Sequence, residues 1–268
     1  RLFREVIAFP AAAASAAVDA AAGDLLSLEP AGGLRTGLAA HAPYSVGPAA
    51  FAALDAAARR RFDGPRSVHL AESPEELEFL RTGQGPWRRL LERIGRWDSA
   101  WNPPGCGPVE YLDRLGWLRE GLVVVHGVQL TDPELRRLAE RGASLVTCPR
   151  SNAWTGVGHP PIERFLRAGV RLAVGTDSLA SVSDLNLFGE LALMRRLAPS
   201  APARRLLACA TLHGAEALGF DDELGAVAPG LRADLIGVSI PPGVGDVEEY
   251  LVGGVTPDRV VRLGGVAL

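Results

Sequence analysis

The 268-residue chain contains no lysine, and all 28 of its basic residues are arginine. Alanine is abundant, which is typical of a compositional bias along a whole chain, so arginine clusters such as residues 59–61 carry no functional signal. The formal net charge is −3. Because nucleic acids and anionic membranes bind proteins through basic surfaces, neither partner is predicted.

Cysteine is scarce and lacks the spacing of a structural site. The three cysteines, Cys106, Cys148 and Cys209, lie far apart without a Cys-x-x-Cys motif, so the sequence predicts neither a disulfide framework nor a zinc knuckle. No run of about 18 apolar residues and no charged-then-apolar leader occurs, which argues against a membrane span and a signal peptide. We therefore expect a cytoplasmic protein.

Nucleotide-phosphate motifs are also missing. The chain has no Gly-x-x-x-x-Gly-Lys-Ser/Thr sequence and no Gly-x-Gly-x-x-Gly between a strand and a helix. A P-loop or dinucleotide-binding protein is therefore poorly supported.

Short apolar segments alternate with helix-like segments from residue 2 to residue 175. Such alternation is typical of right-handed β-α crossovers and a parallel sheet. The clearest predicted helix lies within residues 131–142, with Thr131 or Asp132 as its N-cap, Pro133 at its first position and Gly142 beyond its end. The six predicted strands are residues 2–9, 34–40, 67–70, 122–125, 144–148 and 171–175.

Two regions depart from this alternation. Residues 81–120 contain four tryptophans and loop-like sequences such as WDSAWNPPGCGP. Such an insertion either caps a site or is a surface excursion whose tryptophans pack against the body, and both interpretations stay open. Beyond residue 225, short β segments are separated by glycine and proline. We therefore predict a β/α domain over residues 1–224 and a small β element over residues 225–268.

Ionisable side chains mark the carboxyl ends of four of the six predicted strands. A single ionisable residue at a strand end is more often structural. Ionisable residues at four strand ends would each cost desolvation free energy, which a purely structural role would not offset. In a parallel sheet or barrel, reactive groups collect where strands end and loops begin. The residues are His41, His69 with the nearby Glu72, His126 and Asp177.

These residue types suit a divalent metal and hydrolytic chemistry. His69 offers a neutral imidazole and Asp177 a carboxylate, and zinc binds such donors at about 2.0 to 2.2 Å. A bound metal lowers the pKa of its water to about 7 and so supplies hydroxide at neutral pH. Glu72 is placed to carry protons, and His126 to orient the nucleophile or to stabilise developing charge.

Five sequence blocks occur in a fixed order: HAPYSVGP, HLAESPEE, VVHGVQLTD, TCPRSNAWTG and GTDSLAS. They resemble successive blocks of the amidohydrolase superfamily, in particular its cytosine deaminase, chlorohydrolase and adenosine-type deaminase branch. Residues 211–238 are similar to the segment in which that family's chain leaves the barrel for a small β-sandwich.

The resemblance implies a (β/α)8 TIM barrel of the metal-dependent hydrolase type, with a C-terminal contribution to a small β-sandwich. It also implies one divalent metal, with zinc expected and iron as the alternative. His69 and Asp177 would bind the metal, and Asp177 would also act as a base. Glu72 would be the proton shuttle and His126 would face the water or the substrate. The substrate contacts would be His41, Arg150 and Asn152.

One feature departs from the family pattern. The family takes two metal ligands from a His-x-His at the end of its first strand, and this chain contains no His-x-His. Residues 2–9 then correspond to the third strand, so strands 1 and 2 are expected to be absent and the chain to be part of a longer polypeptide. Six strands of eight leave two open edges, and this chain alone is expected to be inactive.

The expected reaction is metal-dependent hydrolysis of a C–N bond, in which an aminated N-heterocycle loses ammonia. Residues 69–87 and 101–118 most resemble the aminodeoxyfutalosine deaminases of menaquinone synthesis, so the expected small-molecule substrate is an adenine-type nucleoside. A chlorohydrolase or guanine deaminase with the same machinery stays open, as does a catalytically inactive barrel with a binding role. Homodimerisation is also left open.

Overall fold

A computed structural model describes residues 1–28, 34–62 and 64–263 of the chain. Its centre is a six-stranded parallel sheet whose strands lie side by side in chain order. These are the six strands predicted from the sequence, with ends that differ by up to three residues. The strands are β1 (Leu2–Val6), β2 (Thr36–Ala40), β3 (Arg66–Leu70), β4 (Leu122–His126), β5 (Ser144–Thr147) and β6 (Arg171–Val174).

Helices lie between consecutive strands, as the crossovers of a parallel sheet require. They are α1 (Ala14–Leu26), α2 (Pro48–Arg61), α3 (Pro74–Thr82), α4 (Pro86–Arg93), α5 (Pro108–Arg114), α6 (Asp132–Glu140), α7 (Pro149–Thr155), α8 (Ile162–Ala168), α9 (Leu187–Leu197), α10 (Ala203–Cys209), α11 (Leu212–Leu218) and α12 (Val247–Val252). Two short 3-10 turns occupy Ala11–Ala13 and Pro257–Arg259.

Side-chain caps explain where several helices begin. Thr131 is the N-cap of α6, and Glu134 accepts hydrogen bonds from its backbone N–H at 2.9 Å and from its hydroxyl at 2.7 Å. Pro133 is the second helical residue, one position later than predicted. The N-cap of α3 is Ser73, whose hydroxyl accepts the N–H of Glu76 at 3.3 Å. Both caps satisfy N–H groups that have no partner within the helix.

The two faces of the sheet are packed differently. One face joins the main hydrophobic core through side chains that include Val68, Leu70, Val124 and Leu145. The opposite face carries a small cluster of Val123, Ala173 and Ala217, the last of them from α11. Successive side chains of a strand point to opposite faces, so His69, between Val68 and Leu70, lies on the second face. The candidate site is therefore on the face with the smaller apolar cluster.

Within the described residues, β1 and β6 are edge strands that pair on one side only. The six parallel strands confirm the predicted α/β fold, and they do not close into a barrel. This agrees with the expectation of a (β/α) barrel represented by strands 3 to 8.

The tryptophans of residues 81–120 pack mainly against the body. Trp97 stacks on Phe9 with ring centroids 5.7 Å apart, and Trp101 stacks on Phe79 at 4.8 Å. Trp117 is buried, and its Nε1–H donates to the carbonyl of Phe51 at 2.9 Å. Trp87 of the same segment stacks on Tyr44 beside His41, so both interpretations of this segment stay open.

The C-terminal part of the described chain contains a separate pair of antiparallel strands, β7 (Ile236–Val238) and β8 (Val260–Arg262). Between them, α12 packs against α9 and α10 and buries Val252. Residues 264–268 of the predicted β element lie outside the described residues. Among the helices of the described chain, none combines the length and the hydropathy needed to cross a bilayer.

Candidate metal and catalytic site

The carboxyl ends of β2, β3 and β4 bring three histidines into a row. The rings of His41 and His69 have centroids 5.4 Å apart, and Nδ1 of His69 lies 3.1 Å from Nε2 of His126. The backbone N–H of His69 donates to the carbonyl of His41 at 2.8 Å, so the two residues occupy matching positions on neighbouring parallel strands. The sequence placed all three at strand ends, and the structure brings them together.

Left-handed backbone conformations surround the site. Among the described residues, the non-glycine residues with positive φ are Ala71 (53°), His126 (76°) and Asp177 (62°). Such residues are uncommon, and each costs of order 1–3 kcal/mol unless the surroundings hold it. His126 pairs in register with Leu70, which faces the main core. The positive φ takes the imidazole of His126 out of this alternation and toward His69.

Glu72 lies close to the imidazole of His126. Its Oε2 atom lies 3.7 Å from Nε2 of His126. Burial raises the pKa of Glu72, with His69 opposing this change and the negative charge of Asp177 adding to it. A carboxyl group with a raised pKa can hold a proton closer to neutral pH, as a general acid must.

Glu76 supports the turn that carries Glu72. Its side chain is fully buried, and its carboxylate accepts the backbone N–H groups of Ala71 at 2.8 Å and of Glu72 at 3.2 Å. Burial raises the pKa of Glu76 to about 7, although these two hydrogen bonds oppose the rise. The sequence pattern does not single out Glu76, because its contact with the strand end has no local signal.

Asn152 lies behind His126. Its Nδ2 atom is 3.0 Å from Nδ1 of His126. Asn152 is fully buried, and its Oδ1 has no hydrogen-bond partner among the described residues. Burial, reinforced by the neighbouring ring of His69, lowers the pKa of His126 to about 4, so the ring is neutral at physiological pH. The predicted contact of Asn152 with substrate stays a prediction; in the structure its amide faces the imidazole.

Asp177 is held by two serine hydroxyls. Ser151 donates to its Oδ2 atom at 2.6 Å, and Ser181 lies 3.4 Å from the same oxygen. The carboxylate is close enough for its charge to act on His69, Glu72 and His126. The end of β6 therefore contributes to the same site as the ends of β3 and β4.

Glu5 is a site residue that the sequence reasoning missed. It lies on β1, and its Oε2 atom is 3.2 Å from Nε2 of His69. The pKa of His69 is raised although burial opposes this, because the hydrogen bond and charge of Glu5 favour the protonated ring. The signal was present in the sequence, since Glu5 is an acidic residue inside a predicted apolar strand and burial of an unpaired charge is unfavourable.

Arg150 is engaged in an ion-pair network at the start of α7. Its Nε atom lies 2.7 Å from Oε1 of the fully buried Glu190, and its Nη1 atom lies 2.8 Å from Oδ1 of Asp184. Its predicted contact with substrate stays a prediction, and the structure gives its guanidinium group two carboxylate partners.

The site offers donor types that a divalent metal accepts. His69 and Asp177 are the ligands predicted from the sequence, and imidazole nitrogen with carboxylate oxygen is a set that zinc accepts. Burial lowers the pKa of His41, which favours the neutral ring that a ligand needs. Glu5, His41 and His69 each offer a ligand atom, and these three atoms lie within 4.8 Å of one another.

Comparison with known protein families identifies the family of the chain that carries these site residues. The pattern described as the amidohydrolase family matches residues 10–264. The chain belongs to the amidohydrolase family. The family predicted from the five sequence blocks is therefore confirmed.

Two curated relatives of this amidohydrolase are deaminases. The aminodeoxyfutalosine deaminase of Deinococcus radiodurans is 39% identical over 198 residues, which cover 70% of this chain and 46% of that protein. The 5-methylthioadenosine/S-adenosylhomocysteine deaminase of Desulforudis audaxviator is 31% identical over 213 residues, 77% of this chain and 45% of that protein. The chain thus spans about half the length of the curated relatives it matches.

Two solved structures of the same fold are deaminases, and others are triazine hydrolases. An adenosine deaminase from Xanthomonas campestris with bound zinc has a TM-score of 0.76 and 32% identity, over 96% of this chain and 57% of that chain. The aminofutalosine deaminase of Helicobacter pylori, in complex with methylthio-coformycin, has a TM-score of 0.78 and 27% identity, over 94% of this chain and 61% of that chain. The amidohydrolase is therefore similar along nearly its whole length to these deaminases, and also to the atrazine chlorohydrolase of Arthrobacter aurescens, with a TM-score of 0.70 and 27% identity over 91% of this chain and 53% of that chain.

Proposed function

We propose that this amidohydrolase acts as a metal-dependent deaminase. The reaction would remove the exocyclic amino group of an adenine-type nucleoside by hydrolysis. Four of the similar proteins described above are named deaminases. Aminodeoxyfutalosine is the substrate we favour, and menaquinone synthesis the corresponding pathway, because the Deinococcus radiodurans relative carries that substrate in its name at 39% identity.

A single observation carries the proposal. Nε2 of His126 is approached both by Nδ1 of His69 at 3.1 Å and by Oε2 of Glu72 at 3.7 Å. A metal-binding imidazole, a neutral imidazole and a carboxyl group with a raised pKa thus meet at one point. This combination serves hydrolysis, in which a water must be oriented and its protons moved.

Glu72 is the group that moves protons in this proposal. Water adds to the ring carbon that bears the amino group, and the C–N bond to that group breaks. One water proton ends on the leaving ammonia and the other on the product ring. Because burial raises the pKa of Glu72 above that of an ordinary glutamate, its carboxyl group is better suited to accept and return a proton.

His69 and Asp177 would hold the divalent metal, and zinc is the metal we favour. When bound, such an ion lowers the pKa of a water molecule to about 7. The Ser151 and Ser181 hydroxyls hold the Asp177 carboxylate in place, and Asn152 holds the neutral ring of His126. These contacts leave Nε2 of His126 facing His69 and Glu72.

His41, directly after β2, is our candidate substrate contact. Its ring meets the edge of Tyr44 with centroids 5.6 Å apart, and Tyr44 stacks on Trp87 at 3.8 Å. An aromatic surface beside a polar imidazole suits a flat heterocycle, which stacks on rings and donates or accepts hydrogen bonds at its edge. Arg150 and Asn152 are further proposed contacts with the substrate.

We also infer a cytoplasmic location and a division of the chain near residue 225. The cysteines of the described chain, Cys106, Cys148 and Cys209, are buried and free, which suits a reducing compartment. The antiparallel pair of β7 and β8 does not pair with the six-stranded sheet, which supports a separate C-terminal β element.

The test is ammonia release by the natural full-length gene product, loaded with zinc and assayed on adenosine, 5′-methylthioadenosine and aminodeoxyfutalosine. We expect release from at least one of these nucleosides, and little from the same protein after chelation. Guanine and a chlorinated triazine serve as comparison substrates for the related branches. Stoichiometric zinc without ammonia from any adenine nucleoside would contradict the proposal, and absence of bound metal would favour an inactive binding relative.

A further inference from the structure

The turn of Ala71 and Glu72 joins β3 to α3 and carries the proposed proton shuttle. All four backbone polar groups of these two residues are hydrogen-bonded, and every partner belongs to Glu76 or Gln129. We propose that Glu76 and Gln129 hold this turn from two sides and so position the carboxyl group of Glu72. The inference rests on the function proposed above, and both are positioning residues that act through Glu72.

The turn needs such support because its backbone conformation is strained. Ala71 has a φ of 53°, in the left-handed region that residues other than glycine rarely adopt. Such a conformation persists only where the surrounding contacts hold it, and it occurs most often at functional sites. Loss of these contacts would therefore let the turn relax and would move the side chain of Glu72.

Glu76 accepts both N–H groups of the turn. It is the third residue of α3, whose N-cap is Ser73, and a glutamate at this position often accepts the N–H of the N-cap itself. Here the carboxylate reaches further back along the chain. Its Oε1 atom accepts the N–H of Ala71 at 2.8 Å, and its Oε2 atom accepts the N–H of Glu72 at 3.2 Å. Two acceptor oxygens are therefore needed at this position.

Gln129 donates to both carbonyl groups of the turn. It lies in the loop after β4, three residues beyond His126. Its backbone N–H donates to the carbonyl of Ala71 at 2.8 Å, and its Nε2 atom donates to the carbonyl of Glu72 at 3.4 Å. The same Nε2 atom donates to the carbonyl of Val157 at 2.9 Å. Because an amide nitrogen carries two N–H donors, it can make both bonds at once.

These bonds join Glu72 to the segment that carries His126. The N–H of Gly127 donates to the carbonyl of Leu70 at 3.0 Å, so hydrogen bonding between the two segments continues beyond both strand ends as far as Gln129. Oε2 of Glu72 and Nε2 of His126 are 3.7 Å apart. Because a misplacement of about 1 Å can lower a rate by about 100-fold, support of this distance bears directly on kcat.

The first test is steady-state ammonia release by the zinc-loaded full-length enzyme. Gln129→Met keeps the length of the side chain but removes its N–H donors, so we expect kcat to fall about tenfold while KM and zinc content stay unchanged. Glu76→Gln leaves one acceptor oxygen for two N–H groups, and kcat should fall about 10- to 100-fold. Gln84→Met and Glu78→Gln, at exposed residues of the same types, are the matched controls and should keep full activity.

A double-mutant cycle separates positioning from a general loss of structure. If Gln129 acts through Glu72, its substitution has no catalytic carboxyl group left to misplace in the Glu72→Gln background. We therefore expect Gln129→Met to change the kcat of Glu72→Gln by less than about twofold. A residue needed only for the fold would lower kcat by the same factor in both backgrounds.

Amide hydrogen exchange tests the support of the turn without any substrate. At residue resolution in the full-length protein, the N–H groups of Ala71 and Glu72 should exchange about 3- to 10-fold faster in Gln129→Met than in Gln84→Met. Far-UV circular dichroism checks that each variant is folded.

The inference is overturned if Gln129→Met matches Gln84→Met in both kcat and amide exchange, or if the cycle gives equal losses in the two backgrounds. If the unmodified enzyme releases no ammonia from any nucleoside, the proposed function fails. Amide exchange then still decides whether Gln129 holds the turn, so the two failures can be told apart.

Discussion

Nδ1 of His69 lies 3.1 Å from Nε2 of His126, and this contact joins two strand ends that are 57 residues apart in the sequence. It depends on the positive φ of 76° at His126, since regular strand alternation would turn that ring toward the main core. On its far side the ring meets the buried amide of Asn152. The position of His126 is therefore fixed from both sides.

Replacing the supporting amide tests this arrangement. Asn152→Leu keeps a similar volume but removes the group that fixes the orientation and tautomer of His126, so we expect kcat of the full-length enzyme to fall about 10- to 100-fold. Steady-state ammonia release is the measurement. Asn102→Leu, at an exposed asparagine, is the matched control and should leave kcat unchanged. Equal rates in the two variants would show that the amide does not support His126.

The raised pKa of Glu76 leads us to expect that the free energy of unfolding depends on pH. Its pKa is raised by burial from an ordinary 4.5 to about 7. Between these values the unfolded carboxyl group loses its proton while the folded one keeps it, so the free energy of unfolding falls as pH rises through this window. Glu76→Gln cannot ionise and should make the fall shallower, measured by urea denaturation at several pH values.

The control for this experiment is Glu78→Gln, at an exposed residue of the same helix. It should keep the pH dependence of the unmodified chain. If Glu76→Gln shows the same slope as Glu78→Gln, the buried carboxyl group does not titrate in this window.

The sequence predicted the fold and most of the candidate site because both depend on local patterns. Short apolar segments predicted six strands, and the chemistry of the residues at their ends predicted that His41, His69 and His126 would meet. These inferences need only the rule that parallel strands end at one edge. The rule does not give the backbone conformation at a strand end. It therefore could not predict the left-handed backbone at Ala71 and Asp177.

Contacts between distant segments could not be predicted. Glu5 lies in a segment whose pattern predicts an apolar strand, and its contact with His69 spans 64 residues. Arg150 is predicted to contact substrate, and no local sequence signal indicates its ion pair with Glu190, 40 residues away. A long charged side chain has many accessible partners, and its sequence neighbours do not determine which one it meets.

The Arg150–Glu190 pair gives a prediction for stability. Arg150→Met leaves the fully buried Glu190 without its charged partner, which is expected to lower the free energy of unfolding by about 3–5 kcal/mol. Urea denaturation is the measurement, and the double variant Arg150→Met/Glu190→Leu should recover part of the loss. Arg196→Met, at an exposed arginine of the same helix as Glu190, should change stability by less than about 0.5 kcal/mol.

A different result would assign Arg150 to substrate binding. In that case Arg150→Met would raise KM of the full-length enzyme and leave the free energy of unfolding unchanged.

Trp117 anchors the insertion of residues 81–120 to the body. Trp117→Phe removes the buried hydrogen bond from Nε1–H to the carbonyl of Phe51 at 2.9 Å, so we expect a loss of about 0.5–1.5 kcal/mol in the free energy of unfolding. Trp154→Phe is the control, because Trp154 is 76% exposed. Comparable losses in both variants would contradict the anchoring role of Trp117.

The most direct test of the account compares two neighbouring glutamates. Glu72 lies 3.7 Å from His126, whereas Glu75 is exposed on α3. In the zinc-loaded full-length enzyme, Glu72→Gln should lower kcat for ammonia release by about 10²- to 10⁴-fold, with zinc content unchanged, and Glu75→Gln should retain full activity. Turnover by Glu72→Gln at the rate of the unmodified enzyme would contradict the assignment of the strand ends as the catalytic site.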